Sequence, residues 1–216
     1  DVRYAAGRRL AAADGAVLAA GHTTSDQAET VLYRLAASPG RRALLGMPEA
    51  EGLVVRPLLR AGLSREDTAA YCAQAGLRWR EDASNADERF ARTRVRRALL
   101  PALRAVHPRA EEHVVRTAQL LREEAAVLDG VVDTALAGAD RIGVAHLAAL
   151  PPALARLVVR RLAEDAAGRL CPRAAARLGE LLALGDGALD VGDGARAVVE
   201  GGVLRFERTP PLPTRP

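Results

Sequence analysis

The sequence predicts a protein that is α/β at its start, mostly α-helical afterwards, and closed by a β-hairpin. Three observations support this prediction. Short apolar runs alternate with helical patterns in the first 80 residues, as they do in α/β domains. From about residue 109 onward, apolar residues recur every three or four positions, which is the spacing of a helix face packed on a core. Near the end, two β-rich runs flank Glu200-Gly201-Gly202, a pattern typical of a hairpin turn.

The first region is predicted to alternate helix and strand. Its elements are a helix over residues 1–13 closed by Asp14-Gly15, a strand over 16–20, a helix over 26–37, a strand over 53–59 that ends near Pro57, and a helix from Ser64 to Gly76. Two strands are too few for a parallel sheet buried on both faces. The chain also opens with Asp1, without Met, inside a helical pattern. We therefore expect further strands to precede Asp1.

The second region is predicted to be helical up to the hairpin. A long helix is indicated by an apolar stripe with steps of four and three, formed by Val114, Ala118, Leu121, Ala125, Leu128, Val132 and Ala135. Pro151-Pro152 breaks this run, and Pro172 and Gly185 bracket a later short helix. The predicted division is an α/β domain over 1–80, an Arg-rich linker or helix over 81–108, a helical domain with its hairpin over 109–209, and a frayed tail over 210–216.

Composition and charge narrow the class of protein. All 31 basic residues are Arg, and Arg89–Arg109 holds seven of them and no acid. Such a block, with a pI near 9.8, fits either a nucleic-acid-binding surface or a solvated helix face. The two cysteines form neither a disulfide framework nor a metal cluster, which favours a reducing cytoplasm. No apolar window approaches the ~18 residues of a membrane span, and no secretory signal pattern is present.

The richest candidate site is the stretch from Gly21 to Thr30, which follows the first predicted strand. Ligands of open α/β sheets bind outside the carboxyl ends of strands, near helix N-termini. Asp26 and Glu29 share a helix face, and one interpretation is a capping box with Asp26 as N-cap and Glu29 at N3. The other is chemical: the two acids could hold Mg²⁺ or a substrate ammonium. His22 is either a turn residue or a group that contacts phosphate or transfers protons.

A second constellation runs from Trp79 to Pro101. Its Asp, Ser and Asn residues either turn the chain or contribute to a site. Arg89, Arg92 and Arg96 are predicted to share a helix face, with Arg94 beside them, a spacing that could follow a phosphate backbone.

These motifs, in this order, resemble the tRNA(Ile)-lysidine synthetase family, a branch of the PP-loop (ATP-pyrophosphatase) proteins. The resemblance rests on Gly21-His22 with Asp26-Gln27-x-Glu29-Thr30, on Arg56-Pro57-Leu58-Leu59, and on the segment from Trp79 through Ser84-Asn85 and the arginines to Leu99-Leu100-Pro101. It covers residues 1 to about 110, and the later helices and hairpin suit the family's substrate-binding region. The implied fold is the C-terminal part of a PP-loop parallel-sheet domain followed by a helical, tRNA-binding domain.

The resemblance implies a two-step ligation that uses ATP and Mg²⁺. ATP adenylates the C2 oxygen of the wobble cytidine in the CAU anticodon of tRNA(Ile), and the ε-amine of free L-lysine then displaces AMP, which changes the codon read from AUG to AUA. His22, Asp26 and Glu29 would line the ATP and lysine pocket, with Asp26 the candidate metal ligand and His22 the candidate nucleotide contact. Five residues would hold nucleotide or tRNA: Asn85, Arg89, Arg92, Arg94 and Arg96. A homodimer is left open.

The sequence departs from the family pattern at three places. Ser25 stands where the family usually has Asp, and Thr93 where it usually has Asn. The family's Ser-Gly-Gly-x-Asp-Ser phosphate loop does not occur in the 216 residues. We expect that loop upstream of Asp1 and expect this stretch alone to be inactive. Two alternatives stay open: a non-catalytic tRNA-binding module, and another PP-loop tRNA-modifying enzyme such as a thiolase, which the lack of a multi-cysteine set disfavours.

Overall fold

The computed structural model describes residues 2–38, 40–80 and 87–210. The predicted contributions of Glu81, Asp82, Ser84 and Asn85, and the predicted tail beyond residue 210, lie outside the described residues. The chain divides into two compact units, Asp1–Glu124 and Ala125–Pro216. The division falls within one long helix, whereas the sequence suggested boundaries near residues 80 and 108.

The first unit contains eight described helices, if the long helix that continues past it is included, and three short strands. In chain order they are α1 Val2–Ala13, β1 Leu18–Ala19, α2 Thr24–Ala37, α3 Arg41–Leu44, β2 Ala50–Glu51, β3 Val54–Val55, α4 Pro57–Arg60, α5 Arg65–Gln74, α6 Ala91–Arg94, α7 Leu100–Val106 and α8 Ala110–Leu136. A π-helical turn, Val95–Leu99, joins α6 to α7. The helices predicted over 1–13, 26–37 and 64–76, and the long helix with the apolar stripe, are all present.

The sheet of the first unit has the order β1-β3-β2. β1 and β3 are parallel, with Leu18 opposite Val54, and β2 runs antiparallel to β3. Both predicted strands exist but are two residues long. Pro57 does end the second strand, because its fixed φ and missing N–H suit the first turn of α4. β2 was not predicted. The expectation of further strands before Asp1 stays a prediction.

The Arg-rich segment packs within the first unit. Ala28 and Leu32 of α2 form a buried cluster with Val95 and Leu100, which lie in the π-helical turn and α7. The sequence predicted an Arg-rich linker or helix over residues 81–108, and the described part of that range is helical from Ala91. The apolar residues between the arginines fix the segment on α2, so several of its guanidinium groups lie beside the motif at the start of α2.

The second unit is a helix-covered antiparallel sheet. Its elements beyond α8 are β4 Arg141–Gly143, α9 Val144–Ala149, α10 Pro152–Ala167, a 3₁₀ turn Ala174–Arg177, α11 Leu178–Ala183, β5 Gly187–Gly192, β6 Ala195–Glu200 and β7 Val203–Arg208. The strand order is β4-β7-β6-β5. The predicted β6–β7 hairpin is confirmed, with Glu200 paired to Val203. β4 and β5 were missed, so the hairpin is the centre of a four-stranded sheet.

The core of the second unit lies between α10 and this sheet. Val158, Val159 and Leu162 of α10 are buried with Leu204 and Phe206 of β7. Among the described helices, none has both the length and the apolar character needed to cross a membrane.

Candidate functional site

The candidate site is built where β1 turns into α2. The N-cap of α2 is Thr23, whose hydroxyl accepts a hydrogen bond from the Asp26 N–H, while Asp26 Oδ2 accepts the Thr23 N–H at 2.9 Å. This is a capping box, and it satisfies two of the amides that a helix start leaves without partners. The predicted box, with Asp26 as N-cap and Glu29 at N3, was therefore wrong by three residues. Thr23 does the capping, and Glu29 is left free for other contacts.

Glu29 is a buried carboxylate held by two arginines. Its side chain is 1% exposed, and Arg96 binds it with two parallel hydrogen bonds, Nε to Oε1 at 2.6 Å and Nη2 to Oε2 at 3.0 Å. A bidentate guanidinium–carboxylate pair is the strong form of this interaction. The hydrogen bonds that Arg96 donates to Glu29 raise the pKa of Arg96 above its ordinary value. The Arg-rich segment thus places a guanidinium group against the buried carboxylate of Glu29.

Arg65, at the first turn of α5, joins the two acids. Its Nη1 donates to Glu29 Oε1 and its Nη2 donates to Asp26 Oδ1, each at 3.1 Å. The backbone N–H of Arg65 also donates to Ser25 Oγ at 3.2 Å. Asp26 and Glu29, which the sequence placed on one helix face, are therefore brought together around a single cation. Ser25, the departure from the family pattern, anchors the segment that carries this cation.

His22 lies at the edge of this cluster beside Tyr4 of α1. The Tyr4 hydroxyl is 3.4 Å from either ring nitrogen, and the two ring planes are 8° apart with centroids separated by 6.3 Å. Partial burial lowers the pKa of His22, opposed by Asp26 and reinforced by Arg56 and Arg92. The imidazole is consequently neutral at pH 7, a state in which it can accept a proton or a hydrogen bond.

A cavity of about 380 Å³ opens beside His22. Tyr4, Gly21, His22 and Asp26 line it, together with the end of β1. It lies outside the carboxyl end of a parallel strand, where ligands of open α/β sheets bind. His22 and Asp26 thus share a cavity wall, while Glu29 lies deeper, behind Asp26.

Two other polar residues of the motif are structural. Gln27 is fully buried; its Nε2 donates to the Met47 carbonyl at 2.9 Å, and its Oε1 accepts the Met47 N–H at 2.7 Å. Thr30 donates to the Asp26 carbonyl and accepts a hydrogen bond from Arg92 Nη2 at 2.6 Å. Gln27 and Thr30 therefore hold the elements around the acids in place.

The predicted arginines divide into two kinds. Arg92 and Arg96 both turn toward α2, to Thr30 and Glu29 respectively. Arg89 precedes α6, is 88% exposed and pairs with Asp87, while Arg94 donates to the carbonyls of Glu88 and Arg89. The shared helix face predicted for residues 89, 92 and 96 is not formed, because the helix begins only at Ala91.

The oxygen atoms at Asp26 and Glu29 do not fit the needs of a magnesium ion. Mg²⁺ needs several oxygen ligands in octahedral geometry. Asp26 Oδ2 accepts hydrogen bonds in the capping box, and Asp26 Oδ1 accepts one from Arg65. Glu29 already accepts hydrogen bonds from Arg65 and Arg96. In the ranges that the structure describes, there is also no group of three or more acidic, His or Cys side chains suited to a metal. We therefore assign no step to a metal at Asp26.

Sequence reasoning missed three residues of this site. The sequence indicated Arg65 only as part of the Ser64 helix start, and its contacts reach residues 36 and 39 positions away. Tyr4 was predicted only as part of a helix. Arg56 is buried, donates to the Pro48 carbonyl at 2.7 Å and acts on His22 through its charge. The Arg-Pro-Leu-Leu motif pointed to Arg56 without giving it a role.

Comparison with known proteins gives the family that the chain is similar to. Residues 1–103 match the PP-loop domain family. Along most of its length the chain is similar to curated proteins named tRNA(Ile)-lysidine synthase: 40% identical over 94% of the chain to that of Salinispora tropica, 42% over 75% to that of Solibacter usitatus, and 42% over 76% to that of Salinispora arenicola. The first 103 residues therefore match the PP-loop domain family, and most of the chain is similar to proteins named tRNA(Ile)-lysidine synthase.

The chain spans only part of these relatives. It covers 65% of the length of the Salinispora tropica protein, 38% of the Solibacter usitatus protein and 50% of the Salinispora arenicola protein.

Proposed function

We propose that the protein is an ATP-dependent carbon–nitrogen ligase that joins L-lysine to C2 of the wobble cytidine in tRNA(Ile) bearing the CAU anticodon. The observation that supports this most directly is the pair formed by Asp26 and the buried Glu29 at the start of α2, in a PP-loop domain. A half-buried and a buried carboxylate that already enclose one cation are suited to recognising another, and lysine brings an ammonium group.

Each site residue has a different role in such a reaction. Asp26 and Glu29 bind and orient the lysine ammonium through charge-assisted hydrogen bonds. The amine must lose a proton before it attacks the activated cytidine, and neutral His22, on the same cavity wall as Asp26, is the group able to accept it. Arg96 holds the Glu29 carboxylate in place with two hydrogen bonds, so its part is positioning.

The match of residues 1–103 to the PP-loop domain family supports the use of ATP, which would supply the adenylate that activates the cytidine. In this chain, His22 is the candidate contact to the nucleotide. Arg89, Arg92 and Arg94 are the candidate contacts to tRNA phosphates, because each is an exposed residue of the Arg-rich segment. Asn85 stays a predicted contact that lies outside the described residues.

The remaining predictions fit this function without being tested. Residues 109–209 are the predicted tRNA-binding domain, preceded by an Arg-rich linker or helix over residues 81–108. A cytoplasmic location, a homodimer and the participation of Mg²⁺ stay predictions. The alternatives of a non-catalytic tRNA-binding module and of another tRNA-modifying enzyme are not favoured, because the curated relatives are named as synthases.

The proposal is tested by assaying the complete protein for AMP release and for radiolabelled lysine incorporated into tRNA. We expect both only when ATP, L-lysine and tRNA with a CAU anticodon are present together. Glu29→Gln removes the buried charge, and we expect it to lower lysine incorporation by about 10²-fold or more. Glu112→Gln, an exposed acid on α8, is the matched control and should have little effect. Lysine-independent AMP release, or no lysine in the tRNA, would contradict the proposal.

A further inference from the structure

The Arg65 side chain lies where a substrate ammonium would have to lie. Its two Nη atoms each donate one hydrogen bond of 3.1 Å, one to Asp26 Oδ1 and one to Glu29 Oε1. The other oxygen of Asp26 is committed to the Thr23 cap. Arg65 thus occupies the free oxygen of Asp26 and bridges the two carboxylates to which we assign the ammonium.

The two arginines of the cluster are held very differently. Arg96 makes two parallel hydrogen bonds to one carboxylate, at 2.6 and 3.0 Å, and its side chain is 30% exposed. Arg65 makes one longer bond to each acid and is 41% exposed. A single, longer hydrogen bond from a partly solvated side chain is readily exchanged with water or another cation. Arg96 is therefore the fixed partner of Glu29, and Arg65 the exchangeable one.

The Arg65 side chain can leave without moving its helix. Its backbone N–H is bonded to Ser25 Oγ, and the preceding segment is tied to α2 by the Thr24 N–H, which donates to the Leu63 carbonyl at 2.9 Å. The start of α5 is closed by its own capping box between Ser64 and Asp67. These contacts do not involve the guanidinium, so they persist when the side chain turns outward.

Charge balance favours an ammonium that replaces Arg65 over one that joins the cluster beside Arg65. Asp26 and Glu29 carry two negative charges, and Arg65 and Arg96 carry two positive ones. An ammonium that joined the cluster with both arginines in place would leave it with excess positive charge. An ammonium that replaced Arg65 would keep the cluster neutral and restore the hydrogen bonds to both acids.

We propose that Arg65 is an internal cation that fills the ammonium site of the carboxylate pair and is displaced when the amine substrate binds. This rests on the proposed function, because it assigns the pair to the lysine ammonium. A ligand without an ammonium or guanidinium group cannot take over the hydrogen bonds of Arg65, so it leaves Arg65 bound to the two acids. Arg65 therefore sets both the affinity and the selectivity for the amine.

The test compares Arg65→Gln with the unmodified chain, and uses Arg60→Gln, an exposed arginine of α4, as the matched control. Binding of n-butylammonium chloride and of L-lysine is measured by calorimetry and by the rise in melting temperature, at constant ionic strength. Tetramethylammonium, which cannot donate a hydrogen bond, is the control ion. If Arg65 fills the pair for nine-tenths of the time, the unmodified chain binds a cation about 10-fold more weakly than Arg65→Gln does.

We expect Arg65→Gln to bind both n-butylammonium and L-lysine about tenfold more tightly than the unmodified chain, and Arg60→Gln to behave like the unmodified chain. Equal or weaker binding of both amines by Arg65→Gln overturns the inference, even when the complete protein still forms lysidine. A gain for n-butylammonium without any binding of L-lysine supports Arg65 as the internal cation and contradicts the lysine assignment in the proposed function.

A second measurement does not depend on the variant. In the unmodified chain, the ¹⁵N resonances of the Arg65 guanidinium are followed by NMR during an L-lysine titration. Displacement should shift them and speed their exchange with water, while the Arg96 resonances keep their slow exchange. Arg65 signals that stay unchanged at saturating lysine overturn the inference.

Discussion

At the scale of single residues, the start of α2 combines a neutral base, His22, with the half-buried acid Asp26 and the buried acid Glu29. His22 is close enough to Arg56 and Arg92 for their charges to oppose its protonation, and its partial burial does so more strongly. The charge of Asp26 raises the pKa of His22, but burial lowers it by more. The residue that the sequence offered as either a turn or a phosphate contact is therefore better suited to accepting a proton than to attracting an anion by charge.

This arrangement predicts a pH dependence of stability. Because the pKa of His22 is lower in the folded state than its ordinary 6.5, the unfolded chain takes up a proton first as the pH falls. The contribution of His22 to stability is thus fully present above pH 6.5, is lost as the pH falls below 6.5, and levels off below the folded-state value.

His22→Gln keeps a polar side chain of similar size and removes this titration. Urea unfolding at pH 5 and pH 7.5 should show a smaller loss of stability on acidification in His22→Gln than in the unmodified chain. The matched control is His146→Gln on α9, where the unmodified dependence should be retained. The same pH dependence in His22→Gln as in the unmodified chain would contradict the prediction.

At the scale of elements, Gln27 joins α2 to the loop before β2. Its buried amide pairs with both backbone groups of Met47, and a Cβ at Gly46, whose φ is +63°, would lie 2.7 Å from that amide. Gly46 is therefore needed both for its left-handed conformation and for the close approach of the Gln27 amide. This contact sets the loop that runs into the sheet beneath the site.

Gln27→Leu should therefore be strongly destabilising. The variant keeps the bulk of the side chain and leaves the Met47 N–H and carbonyl buried without their partners, at a cost of about 2–4 kcal/mol in the free energy of unfolding. Gln74→Leu, at the exposed end of α5, serves as the control and should change stability by less than about 0.5 kcal/mol. Urea denaturation measures both. A Gln27→Leu protein as stable as the control variant would show that the pairing with Met47 is dispensable.

Among the individual elements, the sequence predicted best those with a periodic apolar pattern. The long stripe from Val114 to Ala135 identified α8, because a 3.6-residue period leaves few other structures available. The cap of α2 was misplaced because Thr23 with Asp26 and Asp26 with Glu29 both match the spacing of a capping box. The choice between these two capping boxes depends only on where the preceding strand ends. β5 was missed because its glycines and Asp190 resemble turn residues.

The candidate site could be predicted only in part, for a related reason. His22, Asp26 and Glu29 lie within eight residues, so one motif reveals them. Arg65 and Arg96 reach Glu29 from 36 and 67 positions further along the chain, and no local pattern encodes those pairings. The two arginines could be seen as charges in the sequence, but the apolar contacts that bring them to α2 depend on the tertiary fold.

At the scale of the whole molecule, the net charge of +4 is small, so any nucleic-acid surface must come from where the charges lie. Within the Arg-rich segment, Arg96 is committed to Glu29 and cannot serve phosphate without giving up that pair. Arg89 and Arg92 are exposed residues and have no contact with Glu29 among the described hydrogen bonds. They are therefore the better test of tRNA binding, because Arg96→Ala would disturb the buried carboxylate as well.

The double variant Arg89→Ala with Arg92→Ala should weaken tRNA binding at low salt and reduce the slope of log K against log salt concentration by about 1–2, because two phosphate contacts release their counterions. The control is Arg9→Ala with Arg60→Ala, which removes the same charge from α1 and α4 and should leave the slope unchanged. Filter binding at several salt concentrations measures both pairs. Equal slopes in the two double variants would show that Arg89 and Arg92 contact solvent and not tRNA phosphates. Binding of tRNA would then have to depend on charges elsewhere in the protein.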